Sequence, residues 1–313
     1  MQPLIILSGP TAVGKTRLSL ALAKEAGCEI ISADSMQVYR GLDIGTDKLP
    51  PEQRQGIPHH LIDVLDPGED YNVMRFREMA SECIREIAGR GHLPLLAGGT
   101  GFYIQAVLYD VDFTPHSQDD EQRRLLQKEA QEQGCEALHR RLEALDPEAA
   151  ASIHPNNIQR TIRALEYAQQ TGGTISEHNR QMRQKSSPYR YAYFVLTDER
   201  ERLYERINRR VDEMMEQGLM DEVIRLRKRG IGSAHTSMQA IGYRQICAYL
   251  DGACDMDEAV RLIKRDTRHY AKRQLTWLRR ERDVIWLDRS ILGGDEQILE
   301  YMMQILRGRG LIS

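Results

Sequence analysis

The sequence predicts an α/β protein, a parallel sheet interrupted by an all-helical insertion. A short apolar run, residues 3–8, leads into a glycine-rich turn and then into leucines at helical spacing. Similar buried runs return at 28–35 and 92–100, with an amphipathic helix pattern over 72–90 between them. Strands that alternate with helices are typical of βαβ units, in which the strands are parallel. Residues 113–180, by contrast, are rich in Gln, Glu, Arg and Ala and contain no convincing strand pattern.

The elements of the first third follow from apolar spacing. Residues 15–26 should form a helix, because Leu18, Leu22 and Ala26 recur at helical intervals. The strand at 28–35 carries Asp34 at its carboxyl end, the end at which ligands bind in open α/β sheets. Glycine, proline and charge in irregular order predict a loop over 40–58. The run HHLIDVLD, residues 59–66, predicts a further strand.

The later elements are separated by helix-ending residues. Stops near Gly134, at Pro147, at Pro155 and at Gly172 predict about three helices within 113–180. Strand patterns return at 190–197 and 283–288, and a long helix is expected over about 199–218 with a second ending near Gly230. We therefore expect a catalytic core made of residues 1–112 and 189–313, and a helical insertion domain at 113–188.

Bulk composition excludes several classes of protein. The 313 residues carry a net charge of −3, so any nucleic-acid site must come from local basic clusters. The five cysteines form no CxxC pair, which disfavours structural zinc or a disulfide framework. No apolar run approaches the ~20 residues of a membrane helix, and no secretory leader pattern is present. We expect a cytoplasmic protein without a membrane partner.

The segment GPTAVGKT matches the full phosphate-binding loop pattern G-x-x-x-x-G-K-[ST], in the strand–loop–helix context that the pattern requires. Its backbone N–H groups should hold anionic oxygens, Lys15 should add a positive charge, and the Thr16 hydroxyl should ligate Mg²⁺. The predicted phosphate-binding residues are Gly9, Pro10, Thr11, Ala12, Val13, Gly14, Lys15 and Thr16.

The second half of an ATP hydrolase is missing from the sequence. Such an enzyme needs an acid at the end of another strand to hold Mg²⁺ and help activate water. The run 92–97 ends instead in Ala97, Gly98 and Gly99, and no NKxD-like guanine-specific sequence occurs. Asp34 lies at a strand end, beside the phosphate-binding loop if the sheet order is ordinary, and is the best candidate catalytic residue; a helix cap or a metal-bound acid is the alternative. Thr100 offers a hydroxyl where the glycine backbone permits close approach of a ligand.

Two basic segments indicate contact with a polyanion. Arg160 and Arg163 lie three residues apart on one face of an insertion helix. The run 261–282 carries ten Lys, Arg and His residues with Tyr270 and Trp277 between them. A solvated helix face would have the same composition, so the two interpretations are about equally weighted.

At this point seven segments, in chain order, resemble the tRNA dimethylallyltransferases, also called tRNA isopentenyltransferases. They are GPTAVGKT, SADSMQVYRGLDIGTDK, PHHLIDVLDP, LLAGGTGFYIQA, HPNNIQRTIRALE, QAIGYRQ and TRHYAKRQLTWLRR. The resemblance covers residues 4 to about 287, and the Asp34 and AKRQLTW segments are its most specific parts. Leu42 and Phe102 stand where the family pattern has Met and Leu. Without a zinc-finger extension after the core, the chain resembles the bacterial form of the family.

The resemblance implies a P-loop NTPase-like core with a helical insertion, and a specific reaction. A dimethylallyl group would pass from its diphosphate to the exocyclic amine of the adenine just 3′ of the tRNA anticodon. The loop would then hold the leaving diphosphate, with Thr16 positioning Mg²⁺ as the cofactor. Arg210 would bind the same diphosphate, and Asp34 would accept the proton of the adenine amine. Asp34, Thr16 and Arg210 are thus the implied catalytic residues.

The resemblance also implies tRNA contacts and a partner, the anticodon stem-loop of a tRNA, with dimethylallyl diphosphate as the second substrate. The protein is expected to be a monomer. The implied tRNA-contacting residues are Asp34, Ser35, Met36, Gln37, Thr100, Arg123, Gln159, Arg160, Thr161, Ile162, Arg163, Gln239, Ala240, Ile241, Gly242, Tyr243 and Arg244.

Three other functions stay open at this point. A P-loop small-molecule kinase would share the loop but would leave the basic segments without a role. An adenylate prenyltransferase that uses AMP or ADP would share the loop and the acid but would need no large basic surface. A non-catalytic RNA-binding module would not need Asp34, Lys15 or Thr16.

Overall fold

The computed structural model describes residues 1–111 and 120–313, which divide into two compact units. One comprises Met1–Asp110 and Pro188–Ser313, and the other Val111–Ser187. Within the described residues, no helix is long and apolar enough to cross a membrane.

The larger unit contains a parallel sheet of six strands in the order β3-β2-β4-β1-β5-β6. Its strands are β1 (Gln2–Ser8), β2 (Cys28–Ser32), β3 (His59–His60), β4 (Leu93–Gly98), β5 (Tyr189–Thr197) and β6 (Val284–Asp288). Its helices are α1 (Lys15–Ala26), α2 (Val73–Gly89), α3 (Gly101–Leu108), α9 (Arg200–Glu216), α10 (Leu219–Lys228), α11 (Tyr243–Leu250), α12 (Met256–Leu278), α13 (Arg289–Leu292) and α14 (Asp295–Gly308). The predicted parallel α/β core is confirmed.

The strand order determines what meets at the carboxyl edge of the sheet. β1 lies at the centre with Leu4 to Leu7 fully buried, as expected for a strand covered on both faces. Ser8 pairs with Gly98 of β4, and Ala97 pairs with Ser32 of β2. The chain therefore leaves β1, β4 and β2 side by side, at the phosphate-binding loop, at the glycine turn and at Asp34.

The predicted strand over 59–66 is wrong beyond its first two residues. β3 ends at His60 because Leu61 and Asp63 adopt left-handed backbone angles, with φ of 61° and 58°. The Asp63 carboxylate accepts from the Lys48 ammonium at 2.6 Å, so the segment after β3 pairs with the loop that precedes it.

The smaller unit is helical throughout its described part. It has five helices where about three were expected: α4 (Asp120–Gln133), α5 (Cys135–Leu145), α6 (Pro147–Ser152), α7 (Ile158–Thr171) and α8 (Ile175–Gln184). Leu126, Leu138, Leu142, Ile162 and Leu165 are buried in its core. The extra helices come from local caps that a coarse apolar pattern does not resolve. Asp146, for example, ends α5 and caps α6 by accepting from the Ala149 N–H at 3.0 Å.

A buried carboxylate fixes the loop that follows Leu42. Glu222 of α10 is 1% exposed and accepts the backbone N–H groups of Asp43, Ile44 and Gly45 at 2.9–3.2 Å. It also accepts the hydroxyl of Tyr243 at 2.6 Å. A Cβ on Gly45 would lie 2.4 Å from that tyrosine ring, so only glycine fits there. Loop 43–45, α10 and α11 are thus held together by one side chain.

We predict that Glu222→Ala lowers the free energy of unfolding by about 3 kcal/mol, because it leaves several buried donors without an acceptor. Urea titration followed by circular dichroism measures the change. Glu205→Ala, at an exposed position of α9, is the matched control and should stay within about 0.5 kcal/mol of the parent. Equal stability of the two variants would contradict the role assigned to Glu222.

Candidate active site

The phosphate-binding loop between β1 and α1 depends on glycine at both ends. Gly9 has φ of 150°, and a Cβ there would lie 2.4 Å from the Leu196 carbonyl oxygen. Gly14 has φ of 97° and caps the N-terminus of α1. Both angles are unfavourable for other residues. The loop therefore passes close to β5 and presents the N-terminus of α1, where orphan N–H groups favour anions.

Cationic side chains bind the carbonyl groups of the same loop. The Lys15 ammonium donates to Gly9 O at 3.0 Å and to Pro10 O at 2.7 Å. Two guanidinium groups, from Arg206 and Arg289, donate to the carbonyl oxygens of the residues between Thr11 and Gly14 at 3.0 Å. With the carbonyl groups paired in this way, the N–H side of the loop is the side that an anion can approach.

The ammonium of Lys15 sits in a crowded, positively charged environment. Removal from water and then the charge of Arg210 lower its pKa to about 8, while Asp34 and Asp47 act in the opposite direction. An anionic ligand at this point would be favoured by every cation around it.

Arg210 of α9 points at the loop, as the resemblance implied. Its guanidinium donates to the Thr11 hydroxyl at 3.0 Å and pairs with the Asp47 carboxylate at 3.2 Å. Its neighbour Arg209 is 72% exposed at the side chain and pairs with Glu213 one turn along the same helix. Of the two arginines, Arg210 is the one placed to bind a group held by the loop.

Asp34 lies two residues beyond β2 and is half-buried. Its Oδ1 accepts the backbone N–H groups of Met36 at 2.8 Å and Gln37 at 3.3 Å, which fixes the turn after the strand. Gln37 is held in turn by Thr46 O at 3.1 Å. Ser35 and Met36 are half-buried on the same turn. One carboxylate oxygen of Asp34 therefore supports the turn.

Thr100 follows β4 on the next strand of the sheet, and its backbone N–H donates to Ala33 O at 3.3 Å. Its buried hydroxyl lies beside the phenol of Tyr270. Burial and then the charge of Asp34 raise the pKa of the nearby Tyr270 to about 12, so this tyrosine is neutral at physiological pH. The edge near Asp34 thus carries neutral hydroxyl groups beside one carboxylate.

A single cavity of about 390 Å³ unites most of these groups. The loop residues Thr11 to Thr16, apart from Val13, line one side, and Asp34 and Gln37 line another. The remaining polar and charged lining includes Thr46, Asp47, Arg206, Arg209, Arg210, Tyr270 and Gln274. An anion on the loop would therefore lie in the same cavity as a carboxylate that can accept a proton.

The cavity suits a magnesium ion that is carried largely by phosphates. Thr16 lies in the first turn of α1 and is exposed to the cavity. Among the described residues, no group of three His, Cys, Asp or Glu side chains could hold a metal alone. Mg²⁺ commonly takes one or two protein oxygens together with substrate phosphates and water, and the Thr16 hydroxyl fits that pattern.

The segments predicted to contact tRNA differ in how much side chain they expose. In the larger unit Gln239 and Arg244 are exposed, Ala240 and Ile241 are half-buried, and Gly242 and Tyr243 are buried. In the smaller unit Gln159, Arg160 and Arg163 are exposed, whereas Thr161 and Ile162 are buried in the helical core. Arg123 pairs with Glu166 through two hydrogen bonds of 2.9 Å. The exposed members are the side chains that a polyanion can reach.

The basic run 261–282 divides into two halves. In the first half, Arg261, Lys264 and Arg265 pair with Glu258, Asp212 and Asp266, and Arg268 donates to Asn208 at 2.6 Å. In the second half, four exposed cations have no carboxylate within 4 Å among the residues that the structure describes. These are Lys272, Arg273, Arg279 and Arg280. The interpretation of the basic run as a solvated helix face with paired charges therefore applies only to its first half.

Sequence reasoning missed three residues that the fold brings to the cavity. Arg206 lies one turn before Arg210 on α9 and reaches the loop. Tyr270 and Gln274 lie one turn apart on α12, inside the run that was assessed only for its charge. The available sequence signal was a pair of uncharged polar side chains four residues apart in a strongly basic helix, a spacing that places both on one helix face.

Comparison with known proteins identifies two family models along the chain. The model described as IPP transferase matches residues 37–281, and the model described as isopentenyl transferase matches residues 2–63. A protein of Lachnoclostridium phytofermentans named tRNA dimethylallyltransferase is 54% identical over 312 residues and covers 100% of both chains. A protein of the same name from Bacillus subtilis is 49% identical over 92% of this chain and 91% of its own.

Solved structures show the same fold. The tRNA isopentenylpyrophosphate transferase of Bacillus halodurans superposes with a TM-score of 0.75 at 46% identity, covering 99% of this chain and 97% of that one. A eukaryotic dimethylallyltransferase acting on tRNA superposes with a TM-score of 0.83 at 27% identity, covering 99% and 80%. The predicted P-loop NTPase-like core is confirmed by these neighbours, and the chain belongs to the IPP transferase family.

Proposed function

We infer that this protein is a tRNA dimethylallyltransferase. It transfers a dimethylallyl group from dimethylallyl diphosphate to the exocyclic amine of the adenine immediately 3′ of the anticodon. The observation that carries this function is the single cavity in which Lys15 and Arg210, placed for a diphosphate, lie with the carboxylate of Asp34. Full-length relatives named tRNA dimethylallyltransferase support the substrate pair.

In this proposal, the loop binds the diphosphate as the leaving group. As the allylic C–O bond breaks, its electron pair and negative charge move onto the diphosphate, and positive charge develops on the allylic carbon. The loop amides, Lys15 and Arg210 stabilise that negative charge where it forms. Mg²⁺ held by Thr16 and the phosphates would supply further charge neutralisation.

The nucleophile is the adenine amine, which forms the new C–N bond as the C–O bond breaks. That amine is a poor base and must lose a proton, so a positioned carboxylate has a direct role. Asp34 is the acid in the cavity beside the loop and would accept the proton. The adenine has to leave its stack to reach a site at the edge of the sheet.

We further propose that the exposed cations bind the phosphates of the anticodon stem-loop. In the larger unit these are Arg244 and the four cations of the second half of the run 261–282, and in the smaller unit Arg160 and Arg163. Phosphate contacts of this kind give affinity and register, whereas polar groups near Asp34 and Thr100 would recognise the base. We also propose that the protein acts as a monomer.

The experiment that tests the function offers labelled dimethylallyl diphosphate and Mg²⁺ together with unmodified tRNA, AMP or neither. The proposal predicts that label enters tRNA alone and is located at the adenine 3′ of the anticodon. Label in AMP would instead support an adenylate prenyltransferase, and ATP consumption without prenyl transfer would support a small-molecule kinase. Binding of tRNA with no transfer at all would indicate a non-catalytic module.

Replacing Asp34 separates chemistry from binding. Asp34→Asn keeps an oxygen that can accept from Met36 and Gln37 but cannot take a proton, so turnover should fall by about 10²–10⁴-fold. Binding of tRNA, measured by fluorescence anisotropy, should change little. Asp257→Asn, an exposed carboxylate in the first turn of α12, is the control. Near-normal turnover of Asp34→Asn would remove this residue from the mechanism.

The two halves of the run 261–282 should contribute differently to the salt dependence of tRNA binding. The variant Lys272→Ala/Arg279→Ala should weaken tRNA binding and reduce the slope of log affinity against log salt by about 1 for each phosphate that the protein no longer neutralises. Arg261→Ala removes a cation already paired with Glu258 and should leave that slope nearly unchanged. If the two variants have the same slope, the second half of the run 261–282 is not the phosphate-binding surface.

A further inference from the structure

Helix α12 crosses two glycine-rich turns, and Gln274 joins them. Its side chain is buried, with the residue only 7% exposed. The amide oxygen accepts the backbone N–H of Thr11 at 2.9 Å, and the amide nitrogen donates to the carbonyl of Gly99 at 2.8 Å. One side chain therefore links the phosphate-binding loop after β1 to the turn after β4, at the point where both face the cavity.

The fit around this amide is close. A Cβ on Gly99 would lie 2.2 Å from the Gln274 amide nitrogen, and a Cβ on Gly101 would lie 2.3 Å from the Trp277 ring. Gly98 is excluded from carrying a side chain by the Ala33 backbone, 2.3 Å from its Cβ position. These glycines therefore permit the approach of α12 and of the neighbouring strand, and the approach of a ligand is not needed to explain them.

The bond to Gln274 occupies one donor of the phosphate-binding loop. Thr11 is one of the predicted phosphate-binding residues, but its backbone N–H already donates to Gln274 and is therefore not free for a diphosphate. The remaining N–H groups of the loop and Lys15 would hold the anion. The amide supplies an acceptor and a donor on one planar group without adding charge.

We propose that Gln274 is a positioning residue for prenyl transfer, which sets the distance between the donor's diphosphate site and the acceptor side near Thr100. This role rests on the function proposed above. The donor carbon and the amine nitrogen belong to different substrates, held on neighbouring turns of the sheet edge. Reaction requires them to approach within about 3–3.5 Å, and a misplacement of about 1 Å can cost about 100-fold in rate. A buried link between the two turns controls that separation.

Single-turnover kinetics with enzyme in excess over labelled tRNA test this role, because the rate constant does not depend on the fraction of enzyme that is folded. Gln274→Met keeps the volume and loses both hydrogen bonds, so its rate constant should fall by about 10- to 100-fold. The affinity for tRNA should stay close to that of the parent, which places the loss in the chemical step. Gln2→Met is the control, since Gln2 also bonds one backbone carbonyl, Ile84 O, but is not among the lining residues of the cavity.

Gln274→Glu gives a readout that a purely structural role would not produce. A protonated carboxyl group can accept from Thr11 and donate to Gly99 as the amide does, whereas the ionised form cannot donate. The rate constant of Gln274→Glu relative to the parent should therefore rise as the pH falls. Both proteins are measured over the same pH range, because the cavity is also lined by charged and titratable groups: Lys15, Arg17, Asp34, Asp47, His59, Arg206, Arg209, Arg210, Glu213 and Tyr270.

Hydrogen exchange of the free protein gives an independent measure. Peptides covering the loop and residues 98–101 should both exchange faster in Gln274→Met than in the parent or in Gln2→Met. A single-turnover rate within about threefold of the parent, or no pH-dependent recovery in Gln274→Glu, would overturn the proposal. If the parent transfers no label to tRNA, the proposed function fails, and unchanged exchange in both turns would then reject the link itself.

Discussion

The structure is organised around the need to hold a highly charged anion on a backbone loop. The carbonyl groups of the loop 9–14 are bound by Lys15, Arg206 and Arg289, which leaves the N-terminus of α1 and the loop N–H groups other than that of Thr11 for the ligand. Burial and then the charge of Arg210 lower the pKa of Lys15 to about 8. An anion therefore relieves repulsion among the side chains as well as filling the loop. Asp47, which pairs with Arg210, is the carboxylate with which an incoming diphosphate has to compete.

The sheet converts this one site into a two-substrate cavity. Because β4 lies between β1 and β2, the glycine turn and Thr100 stand between the phosphate loop and Asp34. Helix α12 covers that edge through Gln274, and Glu222 fixes loop 43–45, just before Asp47. Contacts made by Gln274 and Glu222 thus fix the backbone around the cavity. The loop that Glu222 fixes leads to Asp47, which pairs with Arg210.

Much of the fold could be predicted from local patterns. The apolar runs of β1, β2 and β4 are buried on both faces, so their sequences have the character of central strands. The predicted strand over 59–66 was wrong beyond His60, where Leu61 and Asp63 adopt left-handed backbone angles and Asp63 pairs with Lys48, 15 residues earlier, a contact that the local apolar pattern does not show. The short helices of the smaller unit depend on caps such as Asp146, whose second partner, Ser176, lies 30 residues away.

Site residues that belong to short sequence motifs could be predicted, whereas those placed by tertiary contacts could not. The loop 9–16 and Asp34 follow strands and could be placed at the sheet edge. Gln274 carries no charge and belongs to no phosphate motif, so its two bonds to Thr11 and Gly99 could only be found from the structure. The pairing of Arg261 with Glu258 is readable from a spacing of three, whereas the partner of Lys264, Asp212, is 52 residues away. Counting charges in the sequence therefore could not distinguish the half of the run 261–282 whose cations are paired from the half whose cations are not.

The central claim is that the loop holds the leaving diphosphate of a prenyl donor. Its most direct test is the amount of diphosphate released for each dimethylallyl group transferred to tRNA, measured with Mg²⁺ and without any nucleoside triphosphate. We predict one diphosphate per modified adenine, and a strong loss of this transfer in Lys15→Ala. Release of orthophosphate, a requirement for ATP, or normal transfer by Lys15→Ala would contradict it.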